Sequence, residues 1–151
     1  MGKKKIVEKT GEEALKEKDT VESAISKASV KSSGSKKIES GKVYINASYN
    51  NTLITATDKN GGVVAWASAG SMGFSGPKKA TPFAASKVIS LISEKLKKLG
   101  FLNIDIVVKG VSAGRDSAIR SLANQGFNIL SIKDVTPIPH NGPRPKKPRR
   151  V

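Results

Sequence analysis

Between Val43 and Val135 the apolar residues switch from a period of two to a helical period and back, and this switching constrains the fold more than any other feature. Val43, Ile45, Ala47 and Tyr49 alternate with Tyr44, Asn46 and Ser48, which predicts a half-buried strand with the first set inward. Asn50-Asn51 follows, a pair that tolerates the positive φ angles of a tight hairpin. Residues 52–58 and 63–69, parted by Lys59-Asn60-Gly61-Gly62, read as two more strands of an antiparallel meander, with Trp66 on the third. The period then lengthens. Thr81 suits an N-cap and Pro82 the first helical turn, where its missing N–H is not needed. Ala84, Val88, Leu91, Ile92, Leu96 and Leu99 share one helical face, Lys87, Ser90, Glu94, Lys97 and Lys98 point away, and Gly100 ends the helix. Residues 104–108 form an apolar run with little alternation, the pattern of a strand covered on both faces. A shorter helix is predicted over 115–125, with Ile119, Leu122 and Ala123 inward and Gly126 as its stop, and a last strand over 127–135. The order β-β-β-α-β-α-β implies an α/β fold with a mixed sheet, three antiparallel strands extended by two parallel ones, and with extended N- and C-terminal tails.

Charge divides the same chain into three parts. Residues 1–40 hold ten Lys against seven acids, residues 41–136 hold ten Lys and two Arg against five, and residues 137–151 hold two Lys and three Arg against none. The first part, low in aromatics and rich in Lys, Glu and Ser, reads as a flexible charged extension. Ala14, Val21, Ile25 and Ala28 fall near one helical face there, so a short helix could form on a partner. The second part is the folded domain and the third an extended basic tail. The formal net charge of +15 exceeds the value of about 2–8 that solubility asks of a small domain. Such an excess suits a dense polyanion, where each neutralised phosphate releases counterions. A membrane partner has no support, because no stretch has the apolar length of a spanning helix. The absence of cysteine excludes disulfides, Cys-ligated zinc and thiol nucleophiles. A single histidine, His140, excludes a multi-histidine metal site, and no apolar run follows Lys3, Lys4 and Lys5 as a secretory signal would require. A cytoplasmic protein without cofactor or metal is expected.

Three segments have the residue types to hold RNA. The loop from Ala69 to Lys79 combines Gly70, Gly73 and Gly76, which let backbone approach a ligand, with Phe74 as a stacking face and Lys78 and Lys79 as cations. It leads into a helix N-terminus, whose free N–H groups favour phosphate. Gly110-Val111-Ser112-Ala113-Gly114-Arg115-Asp116-Ser117 also joins a strand to a helix. It fails as a nucleotide-binding P-loop, since the spacing is one residue short and Arg115 stands where Lys is needed. It remains a candidate seat for RNA backbone, with Arg115 as forked donor. All five arginines (Arg115, Arg120, Arg144, Arg149 and Arg150) lie in the last 37 residues of a lysine-biased chain, as sites wanting bidentate or stacking geometry would require. In the tail, five prolines prevent helix and favour an extended chain able to thread between RNA helices, with His140, Asn141, Arg144, Lys146, Lys147, Arg149 and Arg150 available for contact. A metal-dependent nuclease is the competing reading. The core acids Asp58, Glu94, Asp105, Asp116 and Asp134 occupy turn, helix and strand positions that do not clearly converge, so no catalytic residue is assigned.

The chain resembles the family of bacterial-type small-subunit ribosomal protein eleven. The matching stretches are Ala47-Ser48-Tyr49-Asn50-Asn51-Thr52, Gly73-Phe74-Ser75-Gly76, Lys79-Ala80-Thr81-Pro82-Phe83-Ala84-Ala85, Val108-Lys109-Gly110, Gly114-Arg115 and Asp134-Val135-Thr136-Pro137-Ile138-Pro139-His140-Asn141-Gly142. The resemblance implies a ribonuclease H-like fold used as a non-catalytic scaffold. It implies a place on the platform of the small subunit, bridging rRNA helices and helping form the cleft for the Shine–Dalgarno duplex of mRNA. Ribosomal proteins seven and eighteen and initiation factor three are the implied neighbours. Asn50, Asn51, Lys87 and Arg120 join the rRNA-contacting candidates named above. Where the family's glycine turn usually carries prolines, Val111 and Ala113 stand here. A free-standing RNA chaperone or nuclease-like module is the weaker alternative, which cosedimentation with small subunits would separate.

Overall fold

A computed structural model describes residues 38–144, 146 and 147. The expected N-terminal extension up to residue 37, with its short helical face, and the tail residues Arg149 and Arg150 lie outside the described residues. The elements run β1 (Ser40–Ser48), β2 (Asn51–Asp58), β3 (Val63–Ser68), two short 3-10 turns (Gly70–Met72 and Gly76–Ala80), α1 (Pro82–Leu99), β4 (Asn103–Lys109), α2 (Gly114–Asn124) and β5 (Asn128–Asp134). The strands form one sheet in the order β3-β2-β1-β4-β5, antiparallel across β3-β2-β1 and parallel across β1-β4-β5. This is the mixed α/β architecture that the period switching implies.

Both helices pack on one face of the sheet. Val43, Ile45 and Ala47 of β1, Ile54 and Ala56 of β2, Ala65 and Ala67 of β3 and Ile104, Ile106 and Val108 of β4 are buried beneath Ala84, Val88, Leu91, Ile92 and Leu96 of α1 and Ala118 and Leu122 of α2. The folded part reaches back at least to Ile38, which packs against this core and donates its N–H to the Leu99 carbonyl at 3.1 Å. Helix α1 begins and ends where its cap residues place it. The Thr81 hydroxyl accepts the Ala84 N–H at 3.3 Å, and Gly100 takes φ 85° while its N–H reaches the carbonyls of Leu96 and Lys97.

Several local expectations are corrected. Tyr49 is 79% exposed rather than inward, because β1 ends at Ser48 and Tyr49 lies in the turn. That turn does not use positive φ at Asn50 or Asn51. The Ser48 hydroxyl bridges it instead, accepting the Asn51 N–H at 3.1 Å and donating to the Asn51 carbonyl at 3.0 Å, so ordinary backbone suffices. Strand β4 is covered on one face only, its Asn103, Asp105 and Val107 being half-buried on the side away from the helices. In α2, Ala118 is buried and Ala123 exposed, a shift of the inward stripe that follows from the helix starting at Gly114 and closing on α1.

Candidate nucleic-acid interface

The parallel strands β1, β4 and β5 all finish at the same end of the sheet, and the chain returns there repeatedly. The β1–β2 turn, the long loop after β3, the first turns of both helices, the β4–α2 loop and the exit of the tail meet at this end. In open α/β sheets this is the end where ligands bind. The meeting is held by specific contacts. The Ala69 N–H donates to the Thr52 carbonyl at 3.0 Å and the Phe74 N–H to the Ala69 carbonyl at 3.2 Å, which folds the loop against the start of β2. Ser117 of α2 donates to the Pro82 carbonyl at 2.9 Å and bonds Ser86 at 3.0 Å, which ties the two helix N-termini together. Gly110 and Gly114 permit the close approach. A Cβ at Gly110, where φ is 97°, would overlap the Ala47 carbonyl, and one at Gly114 would sit 2.7 Å from the Thr52 hydroxyl.

Around these backbone contacts stand the cations. Lys78 and Lys79 lie in the 3-10 turn just before α1 and Lys87 in its second turn, while no acid occupies the first turn of α1. Lysines at a helix N-terminus add to the positive end of the helix dipole, so together they make a field that favours an anion. The Lys87 ammonium sits 5.6 Å from the centre of the Phe83 ring. Phe83 is the aromatic that sequence reasoning misses as a site. It is 62% exposed on the first turn of α1, whereas Phe74 is half-buried, packs on the core and meets Phe83 edge-on at 6.0 Å. Its signal is Pro82: a large apolar residue directly after an N-terminal proline starts the helix before the buried stripe begins at Ala84. Asn50 is exposed and Asn51 half-buried at the hairpin, where the Asn51 side-chain oxygen accepts the Thr52 N–H at 3.0 Å. Arg120 is exposed on α2 beyond its first turn.

Arg115 has a more defined position than a free phosphate donor would. Its guanidinium donates to Asp134 Oδ2 at 2.7 Å and to the Gly110 carbonyl at 3.2 Å. The other oxygen of Asp134 accepts the Thr136 hydroxyl at 2.6 Å and the Thr136 N–H at 2.9 Å, and the same hydroxyl oxygen accepts the Gly110 N–H at 3.0 Å. The Thr136 hydroxyl, its backbone N–H and then Arg115 hold the Asp134 carboxyl down from 3.8 to about 2. Arg115, Gly110, Asp134 and Thr136 thus form a clasp at the point where β5 becomes tail, which uses two of the five N–H groups of the guanidinium. Beyond it, residues 137–144 have no helix or strand. Ile138, His140 and Arg144 are exposed, as are Lys146 and Lys147. Asn141 takes φ 51°, alone among the described non-glycine residues in its positive φ, and Gly142 lies against the Pro139 ring. The tail therefore bends at Asn141-Gly142 rather than running straight.

Three of the core carboxylates are engaged within the fold. Asp58 Oδ1 accepts the Gly62 N–H at 2.8 Å, Asp105 accepts the Ser131 hydroxyl at 2.6 Å, and Asp134 is held in the clasp. Among the described residues no three His, Cys, Asp or Glu side chains gather as a metal site, and no helix is long and apolar enough to cross a membrane. What the arrangement offers is a rigid end of sheet bearing cations, an exposed ring and an anchored basic chain, which is equipment for holding phosphate and base.

Comparison with known proteins agrees with this geometry. The family described as Ribosomal protein S11 matches residues 41–150. The chain is 49% identical over 116 residues to the small ribosomal subunit protein uS11 of Treponema pallidum subsp. pallidum, covering 77% of this chain and 92% of that protein. The protein of the same description from Treponema pallidum (strain Nichols) matches with the same identity and coverage.

Proposed function

The chain belongs to the ribosomal protein S11 family, and on that premise we propose that it binds and bridges rRNA helices on the platform of the small ribosomal subunit and helps form the Shine–Dalgarno cleft. Its role there is structural rather than catalytic. The observation that carries the reading is the convergence of five segments at one end of the sheet: the β1–β2 turn, the loop bearing Lys78 and Lys79, both helix N-termini and the clasped exit of the tail. A single patch of cations binds one RNA segment. A rigid patch with an extended basic chain anchored beside it can hold two at once, which is bridging. Asn50, Asn51, Phe74, Lys78, Lys79, Lys87, Arg115 and Arg120 contact RNA from the folded part, and His140, Asn141, Arg144, Lys146, Lys147, Arg149 and Arg150 from the tail. Phe83 joins them as a stacking ring. Ribosomal proteins seven and eighteen, initiation factor three and mRNA near the Shine–Dalgarno helix are its proposed neighbours.

The test is a salt titration of binding to the platform rRNA, for the full chain and for a chain truncated after Thr136. Truncation removes five basic side chains. Each phosphate no longer neutralised lowers the slope of log K against log salt by about 0.7–0.9, so roughly three to five such phosphates give a fall of about 2–4.5. An unchanged slope would show that the tail neutralises no phosphate. Failure of the full chain to bind small-subunit rRNA, or to cosediment with small subunits in high salt, would remove the proposal altogether.

A further inference from the structure

The face of the sheet away from the helices is uncovered by any described element, and it is unlike an ordinary solvated sheet face. Register places Trp66 of β3, Thr55 of β2, Tyr44 of β1, Val107 of β4 and Lys133 of β5 in one row across it. Trp66 is 59% exposed and Tyr44 38% exposed. Two residues along the strands on either side stand Lys42 and Lys109, on the same face because side chains alternate with a period of two. The one acid on this face of β1 and β4, Asp105, stands opposite Lys42 in the register and accepts the Ser131 hydroxyl. Exposed aromatic rings are thus interleaved with three cations, Lys42, Lys109 and Lys133, against that one acid. A protein partner would be a poor match, since the cores of protein interfaces are depleted of lysine. Duplex RNA would also be a poor match, because its bases are stacked on one another.

We infer that this open face stacks unpaired RNA bases on Trp66 and Tyr44 while Lys42, Lys109 and Lys133 hold the adjoining phosphates. The inference rests on the rRNA-binding reading above and adds a second contact surface to it, separate from the end of the sheet. Tyr44 and Trp66 lie two strand spacings apart, roughly 9–10 Å. That is too far for neighbouring bases in a helical stack, which rise about 3.4 Å per step. It suits bases splayed from one extended strand, the mode in which aromatic sheet faces read single-stranded RNA.

Trp66 is the only tryptophan of the chain, so its emission reports this face alone. The full-length protein is titrated with labelled oligouridylate and with a blunt RNA duplex of equal length, following probe anisotropy and tryptophan emission together. The expected result is that oligouridylate quenches the emission in step with its binding, while the duplex binds without quenching. Trp66→Ala and Tyr44→Ala each weaken oligouridylate binding about ten-fold, the order of one lost stack, and Trp66→Phe stays within about three-fold. Thermal unfolding checks that the variants fold. Oligouridylate that binds with unchanged emission and is indifferent to Trp66→Ala would overturn the inference and leave the end-of-sheet interface standing. Emission that responds to purified small-subunit proteins but to no RNA would overturn it in favour of a protein-docking face. Absence of oligouridylate binding by a chain that still binds platform rRNA would overturn this inference alone, whereas loss of platform rRNA binding as well would defeat the reading beneath it.

Discussion

At one end of the sheet Lys97 and Lys98 occupy the last turn of α1, and at the other Lys78, Lys79 and Lys87 surround its first. The charges are alike and their electrostatic settings are opposite. Lys97 and Lys98 face the carbonyl end of the helix, where a cation contributes about 0.3–1 kcal/mol of stability. Lys97 also donates to Gln125 at 3.3 Å and sits 5.8 Å from the centre of the Phe127 ring, so it is engaged within the fold. The lysines at the other end add to the positive pole of the same helix, a placement that the dipole itself disfavours in the free protein. A chain that places cations there gains when an anion arrives. Position relative to the helix dipole therefore separates the lysines that the helix favours from those proposed to meet RNA, which a count of charges does not.

Backbone substitution tests the comparison most severely. Gly110→Ala forces a Cβ into the Ala47 carbonyl at a φ of 97° and should destabilise by about 1–3 kcal/mol or more. Gly61→Ala, in the β2–β3 turn at the far end, has a similar φ of 89° with open space around it and should cost only about 1–2 kcal/mol. Chemical denaturation of the two variants measures the difference, and equal losses would mean that the close packing at this end of the sheet is not what Gly110 serves.

The clasp gives a pH signature of smaller size. Asp134 is held at about 2 in the folded chain against an ordinary 3.8. A depressed carboxyl contributes stability that is fully present above 3.8 and is lost as the pH falls through that range toward 2. Asp134→Asn should therefore unfold earlier than the parent at neutral pH, with the gap narrowing below about pH 4. A gap independent of pH would show that Asp134 acts by shape and not by charge. In the same variant, RNA binding should weaken while Lys97→Ala leaves it unchanged, because only the first releases the tail.

The smallest effect concerns the glycine turn. Ala113 already has φ −61°, close to the angle that a proline ring imposes. Ala113→Pro should stabilise by about 0.4–1 kcal/mol through the unfolded state, read as a rise in the denaturation midpoint. Destabilisation would show that the turn needs the freedom that Ala113 allows.

Much of this architecture is legible in the sequence because it is local. Thr81 and Gly100 bound α1 through contacts within a few residues, and the alternation in β1 and β2 marks their inner face directly. Misreadings arise where a distant or competing contact decides. Tyr49 continues the alternation of β1 in sequence, but the Ser48 hydroxyl closes the hairpin one residue earlier. The apolar run of β4 suggests helices on both sides, whereas contact between α1 and α2 keeps both on one. Arg115 reads as a free donor, since Asp134 lies 19 residues away and nothing in either neighbourhood predicts their pairing. Phe83 is hidden inside a helical pattern, and the open sheet face becomes visible only once the helices are placed.

The contrast between the two helix ends can be measured directly with equal charge changes. Lys78→Ala/Lys79→Ala and Lys97→Ala/Lys98→Ala each remove two positive charges from the chain. Binding of both double variants to platform rRNA is followed across a range of salt concentrations. The first should lose about 1.4–1.8 in the slope of log K against log salt, and the second should keep the parental slope. Equal losses in the two variants would mean that RNA responds to total charge alone, and would contradict an interface built at one end of the sheet.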